Sequence, residues 1–197
     1  MFVAVIIGAI TTQMDKIILS GALPIEQFGY YSIASTIAIG AIAAIQPAIQ
    51  AISPLIMQSV NDKEALRSHN IRLAKIISIM VFSAGIIYCI FGRTLLQTWL
   101  RHQHATDYIH PILSLLLIGS AFNAYYHIGY YNWLANGRTK LIFNINLTVL
   151  ATSILITPIF ISKAGAIGAT FAFIGMNLIG LTLSINWLKE ILNQKKQ

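Results

Sequence analysis

An all-α, polytopic integral membrane protein with six transmembrane helices is the architecture this 197-residue sequence predicts. Three observations predict it. Hydrophobic residues make up 56% of the chain and charged residues only 10%, against about 25% charged in a typical soluble domain. Six windows carry few or no charges and approach or exceed the roughly 20 apolar residues needed to cross a bilayer: 2–20, 28–58, 74–92, 111–135, 141–162 and 165–188. These runs are continuous rather than alternating apolar and polar, so they read as helices and not as barrel strands.

The formal charge of +7 raises the question of nucleic acid. The bases lie in short loops between spans, not on a soluble face, so no nucleic-acid partner is expected. They report sidedness instead. Lys63, Arg67, Arg72 and Lys75 around the connector 61–73, Arg138 and Lys140 after span four, and Lys189, Lys195 and Lys196 in the tail 189–197 fall on one side. Arg93, Arg101 and Lys163 fall on the other. An excess of Lys and Arg marks the cytoplasmic side, which makes the connector, the basic tail and both termini cytoplasmic. The single cysteine, Cys89, sits in an apolar span and cannot form an internal disulfide.

Span one holds the stretch "TTQMDKIILS" at 11–20, an acid and a base inside an apolar run. Residues 2–10 look like a signal-peptide core, yet no basic segment precedes them and no small-residue cleavage site follows, so the span is read as retained. Asp15 lies about eight residues from the turn at Leu23, roughly 12 Å deep. An ionised carboxylate there costs several kcal/mol and is ordinarily paired, protonated or turned to an aqueous cavity. Thr11 and Thr12, one turn earlier, are candidate donors to it, and Thr12 is a candidate cavity-lining residue. Lys16 points about 100° away and is expected to snorkel to the outer interface.

Span two, at about 46 Å, exceeds a hydrocarbon core of about 30 Å and must tilt, bend or project. Pro47 and Pro54 share a face and are hinge candidates, because proline removes a backbone hydrogen bond. Gln46, Gln50, Pro54 and Gln58 recur every four residues. An amide facing lipid would be unsatisfied, so Gln46 and Gln50 either bond neighbouring helices or line a cavity. "RTLLQTWLRHQH" at 93–104 reads as a short helix lying at the outer interface. Arg93, Arg101, His102 and His104 there read as an ordinary interfacial loop more readily than as a lipid-diphosphate site.

In span four, "FNAYYHIGYYNW" sets Asn123 and His127 on one face as candidate lining residues. Tyr130, Tyr131 and Trp133 are expected in the aromatic belt at the cytoplasmic interface. Span five aligns Asn144, Thr148 and Thr152, of which Asn144 and Thr148 are lining candidates. Span six opens with "GAIGATFAFIG", and Ala164, Gly168, Ala172 and Gly175 form a small-residue packing ridge.

No metal-ligand spacing, Gly-rich phosphate loop or nucleophile motif appears, and the chain has only six acids. No cofactor is implied, and a transporter is expected rather than an enzyme.

Several segments together resemble a known family. "QMDKIILSGALPIEQFGYYSIAST" resembles the Gln-x-Asp-Lys…Leu-Ser…Pro-x-Glu-x-x-Gly-x-Tyr-x-x-Ala stretch of Wzx-type polysaccharide-unit flippases, within the multidrug/oligosaccharidyl-lipid/polysaccharide exporter superfamily. "WLANGRTKLIFNINL" followed by "KAGAIGATFAF" is similar to that family's later helix pair. The resemblance implies one six-helix lobe, most like the C-terminal half, of a two-lobed transporter. It implies translocation of an undecaprenyl-diphosphate-linked oligosaccharide for O-antigen, capsule or exopolysaccharide biosynthesis, coupled to an ion gradient, in the bacterial inner membrane. Asp15 and Lys16 fall on the family's acid and base, as coupling or substrate-contact candidates. Implied partners are the lipid-linked substrate, membrane lipids, a second six-helix lobe or a homo-oligomeric copy, and the polysaccharide polymerase machinery. The rival readings are an exporter of small amphiphiles from the same superfamily, with a drier cavity, and a membrane scaffold subunit without transport of its own.

Overall fold

The computed structural model describes Ile10 and residues 13–185. Thr11, Thr12 and the tail 189–197 lie outside the described residues. Every element among those described is helical: α1 (Met14–Ala22), α2 (Ile25–Gln58), α3 (Lys63–Leu100), α4 (Gln103–Ala135) and α5 (Thr139–Ser184). The last four are long and apolar enough to cross a bilayer, and the chain is a multi-pass membrane protein.

Each break has a local cause. Leu23 precedes Pro24, and the proline ring pushes the residue before it out of the helical region. Leu23 accordingly sits at φ −114°, ψ 153° and ends α1. Asp62 opens α3 by accepting hydrogen bonds from the Glu64 and Ala65 amides, both at 3.0 Å, which satisfies donors that a helix start leaves free. Arg101 is left-handed at φ 52° and closes α3, and the His102 ring accepts from the Ala105 amide to cap α4. Asn136 and Gly137, the latter at φ 68°, reverse the chain between α4 and α5.

Spans five and six form the single element α5, interrupted by non-helical backbone at Ala164 (φ −139°) and Gly165 (φ 56°, ψ −134°). Glycine suits that backbone because it has no Cβ to clash at positive φ. In a straight helix, residues 160 and 168 would stand about 12 Å apart along the axis. Here a Cβ on Gly168 would fall onto the Phe160 carbonyl. The arms 139–163 and 166–184 therefore fold back on each other, with backbone packed on backbone.

The stretch 93–104 is likewise not a separate interfacial helix. Residues 93–100 continue α3, and the break waits for the left-handed Arg101. Its four cationic candidates are structurally engaged or exposed: Arg93 pairs with Asp107 at 2.7 Å, His102 is a cap, and Arg101 and His104 are exposed. At 34 and 38 residues, α2 and α3 are about 51 and 57 Å long, well over the hydrocarbon thickness. α2 runs as one helix through Pro47 and Pro54, both exposed.

α4 is the central rod and packs against α5, α2 and α3. Toward the Pro24 end, Leu19, Tyr31, Ile109, Leu113, Leu116 and Ala169 form one apolar core. Toward the Asp62 end, Ile49, Ile56, Leu73, Ile77 and Ile128 form a second. Trp133 is 5% exposed and packs with Ile142 and Ile145, so it is a core residue rather than a belt residue. Tyr131 likewise packs against the second core. The outward face of α3 is apolar, with Ile79, Phe82, Ile90 and Trp99 all more than half exposed, as expected where lipid is the solvent. Polar bonds join the helices internally: Asn70 and Asn132 exchange amide hydrogen bonds at 3.1 and 2.8 Å, and the Ser78 and Tyr125 hydroxyls meet at 2.6 Å.

Candidate functional site

Between α1, α2, α4 and both arms of α5 lies a cavity of about 510 Å³. α1 contributes Asp15, with Gln13 just before the helix; α2 contributes Ser35, Ile39 and Ile42. Ser120, Asn123, Tyr126, His127 and Tyr130 come from α4, and Asn146, Phe173, Met176 and Asn177 from the two arms of α5. Most of this wall is apolar. The polar groups are amides, hydroxyls, one imidazole and one carboxylate.

Asp15 is held by a residue sixteen positions on. The Tyr31 hydroxyl, on a fully buried ring, donates to Asp15 Oδ2 at 2.5 Å. The chain makes this contact possible by turning sharply at Leu23–Pro24, which lays the first turns of α2 against α1. Asp15 Oδ1 is buried with no hydrogen-bond partner among the described residues. The carboxylate is therefore fixed through Oδ2, and the residue lines the cavity. Lys16 does not pair with it. Its ammonium donates to Gln13 Oε1 at 3.1 Å, and Lys16 does not reach the cavity wall.

The other expected residues divide. Asn123 and His127 line the cavity together with Asp15. Gln46 stands one layer behind, 3.4 Å from His127 Nε2, so it orients the imidazole without touching the cavity. His127 Nδ1 is buried and unpartnered among the described residues. Gln50, Asn144 and Thr148 are exposed on other faces and are not brought to the wall; Thr148 returns its hydroxyl to the Asn144 carbonyl at 2.8 Å. Thr12 lies outside the described residues.

Sequence reasoning passed over Asn146, Asn177, Tyr126 and Gln13. Asn177 gave a usable signal, being a lone amide in the apolar run "FAFIGMNLIG" that must find a polar neighbour. It accepts from Asn123 Nδ2 at 2.8 Å and donates to the Phe173 carbonyl at 2.9 Å, which joins α4 to the second arm of α5. Asn146 sits two residues after Asn144, roughly 200° around the helix, on the face that packing turns inward. Among the described residues, no three His, Cys, Asp or Glu side chains gather as a metal site.

Residues 1–106 match the profile of a family described as polysaccharide biosynthesis protein, a segment that covers just over half the chain and includes Asp15, Tyr31 and Gln46. No curated protein and no solved structure matches the chain.

Proposed function

The chain belongs to the polysaccharide biosynthesis protein family, and from that premise we propose that it is a transport lobe that moves a polyprenyl-diphosphate-linked oligosaccharide across the bacterial inner membrane. The observation that carries the reading is the Asp15 site: a carboxylate held by the Tyr31 hydroxyl, on a residue that lines a cavity between α1, α2, α4 and both arms of α5. A scaffold has no use for a costly intramembrane acid beside an open volume, whereas such residues mark substrate and ion pathways. Under this reading Asp15 exchanges a proton or cation as the cavity changes sides, and Lys16 belongs to the same coupling region. Asn123 and His127 belong to the substrate wall, with Gln46 behind them as a positioning residue, and Gln50, Asn144 and Thr148, on exposed faces, meet a second lobe or a second copy. The Lys and Arg asymmetry favours cytoplasmic termini. The polysaccharide polymerase machinery is the downstream partner.

One observation favours a second reading. A carboxylate in a largely apolar cavity with no Lys or Arg on its wall among the described residues also suits a lipophilic cation, as in an amphiphile exporter. Complementation separates the two. The full-length gene should restore surface polysaccharide to a flippase-deficient strain, and Asp15→Asn should abolish that while leaving the protein in the membrane. Failure to complement, with restored resistance to cationic drugs, would establish the exporter instead.

A further inference from the structure

The wall of the Asp15 cavity discriminates between the two chemically distinct parts of a lipid-linked glycan. Side-chain amides reach it from Gln13, Asn123, Asn146 and Asn177. Each amide carries a donor and an acceptor, the same combination that a sugar hydroxyl or acetamido group presents. The Tyr126 and Tyr130 rings stand on the same wall with centroids 6.2 Å apart, offering apolar faces to the C–H side of a pyranose. Four side-chain polar atoms are buried without a partner among the described residues, and two of them, Asp15 Oδ1 and His127 Nδ1, belong to cavity-lining residues. Both atoms are occluded, so Asp15 and His127 line the cavity through their other atoms. Among the described residues no Lys or Arg lines the cavity, and the Lys16 ammonium is engaged with Gln13. A diphosphate or a uronate placed here meets a carboxylate and, among the described residues, no Lys or Arg on the wall, so like-charge repulsion opposes it.

We propose that this cavity seats an uncharged, hydroxyl- or acetamido-bearing sugar ring of the transported glycan and excludes both the diphosphate and anionic sugars. Ring hydroxyls bond the polar groups of the wall and the ring lies against the tyrosines, and the diphosphate is held outside this lobe's cavity. The inference rests on the flippase reading, and its test is arranged to fail separately. Full-length protein in liposomes is offered two polyprenyl-diphosphate disaccharides that differ at one sugar, glucose against glucuronate. Movement of the glucose form tests the flippase reading alone, and the ratio of the two rates tests the inference. The glucose form should move at least about tenfold faster, a ratio equal to roughly 1.4 kcal/mol of discrimination. Ile39→Lys, which adds a cation to the wall, should shrink that ratio.

A diazirine on the sugar should label Tyr126, Tyr130 or Met176, whereas a diazirine on the isoprene beside the diphosphate should not. Equal rates for the two lipids, or labelling of those residues by the isoprene probe, overturns the inference and leaves the flippase reading standing. If neither lipid moves and lipophilic cations do, both are overturned.

Discussion

Removing the Tyr31 hydroxyl tests the physical basis of the site directly. In Tyr31→Phe the ring stays where it is, since it is fully buried and only one oxygen is lost. What disappears is the single hydrogen bond that Asp15 receives, 2.5 Å to Oδ2; Oδ1 already lacks one among the described residues. A hydrogen bond to a charged group contributes about 1.5–3 kcal/mol, so the substitution should destabilise the protein by about that much. Asp15→Ala acts from the other side. It leaves the Tyr31 hydroxyl buried and unpaired, which costs about 1–3 kcal/mol, but it also removes a carboxylate that was costly to bury, so its net effect is smaller. The double variant isolates the pair. Reversible unfolding of the full-length protein in mixed micelles should show a coupling energy of about 1.5–3 kcal/mol between the two sites. Additivity within about 0.5 kcal/mol would show that Tyr31 does not hold the carboxylate, and the account of a fixed, half-satisfied Asp15 would be refuted.

Gly168→Ala places a Cβ on the Phe160 carbonyl and should cost at least the roughly 1–3 kcal/mol typical of overpacking. Gly175→Ala meets nothing within 4 Å and should be neutral or stabilising; thermal melting of the two variants in parallel checks the contrast. Asn70→Ala leaves Asn132 bonded only to the Ile128 carbonyl and should cost about 0.6–1.7 kcal/mol, the range of interhelical bonds within membranes, as read by micelle unfolding. Arg93→Ala should change stability by no more than about 1 kcal/mol, because the side chains of Arg93 and Asp107 are 63% and 48% exposed; the same unfolding assay applies.

The helix boundaries were legible wherever a residue type dictates backbone geometry. Pro24 ends α1 through Leu23, Gly137 reverses the chain after α4, and Gly165 breaks α5 between the two expected spans, whereas α3 starts at Lys63 and takes in the connector expected to stand apart from span three. Legible too was the need of Asp15, Asn123 and His127 for polar surroundings, because such groups cannot be left to lipid. The facing of α5 was not legible. Asn144 and Thr148 lie exposed while Asn146 reaches the cavity. A helix that is apolar all round gives no stripe to fix its rotation, so neighbouring helices decide it. The contact between Tyr31 and Asp15 was equally hidden, since it depends on how α1 and α2 cross and not on spacing within either. The Arg101 break was missed because a left-handed arginine carries no signal of its own, and the amphipathic look of 93–100 suggested a separate surface helix.

The doubled-back α5 limits how this lobe can rearrange. With the Gly168 backbone seated on Phe160, its two arms cannot slide or part near the bend without giving up close packing. Asn146 on one arm and Asn177 on the other are thus held in fixed register across the chamber by one hairpin.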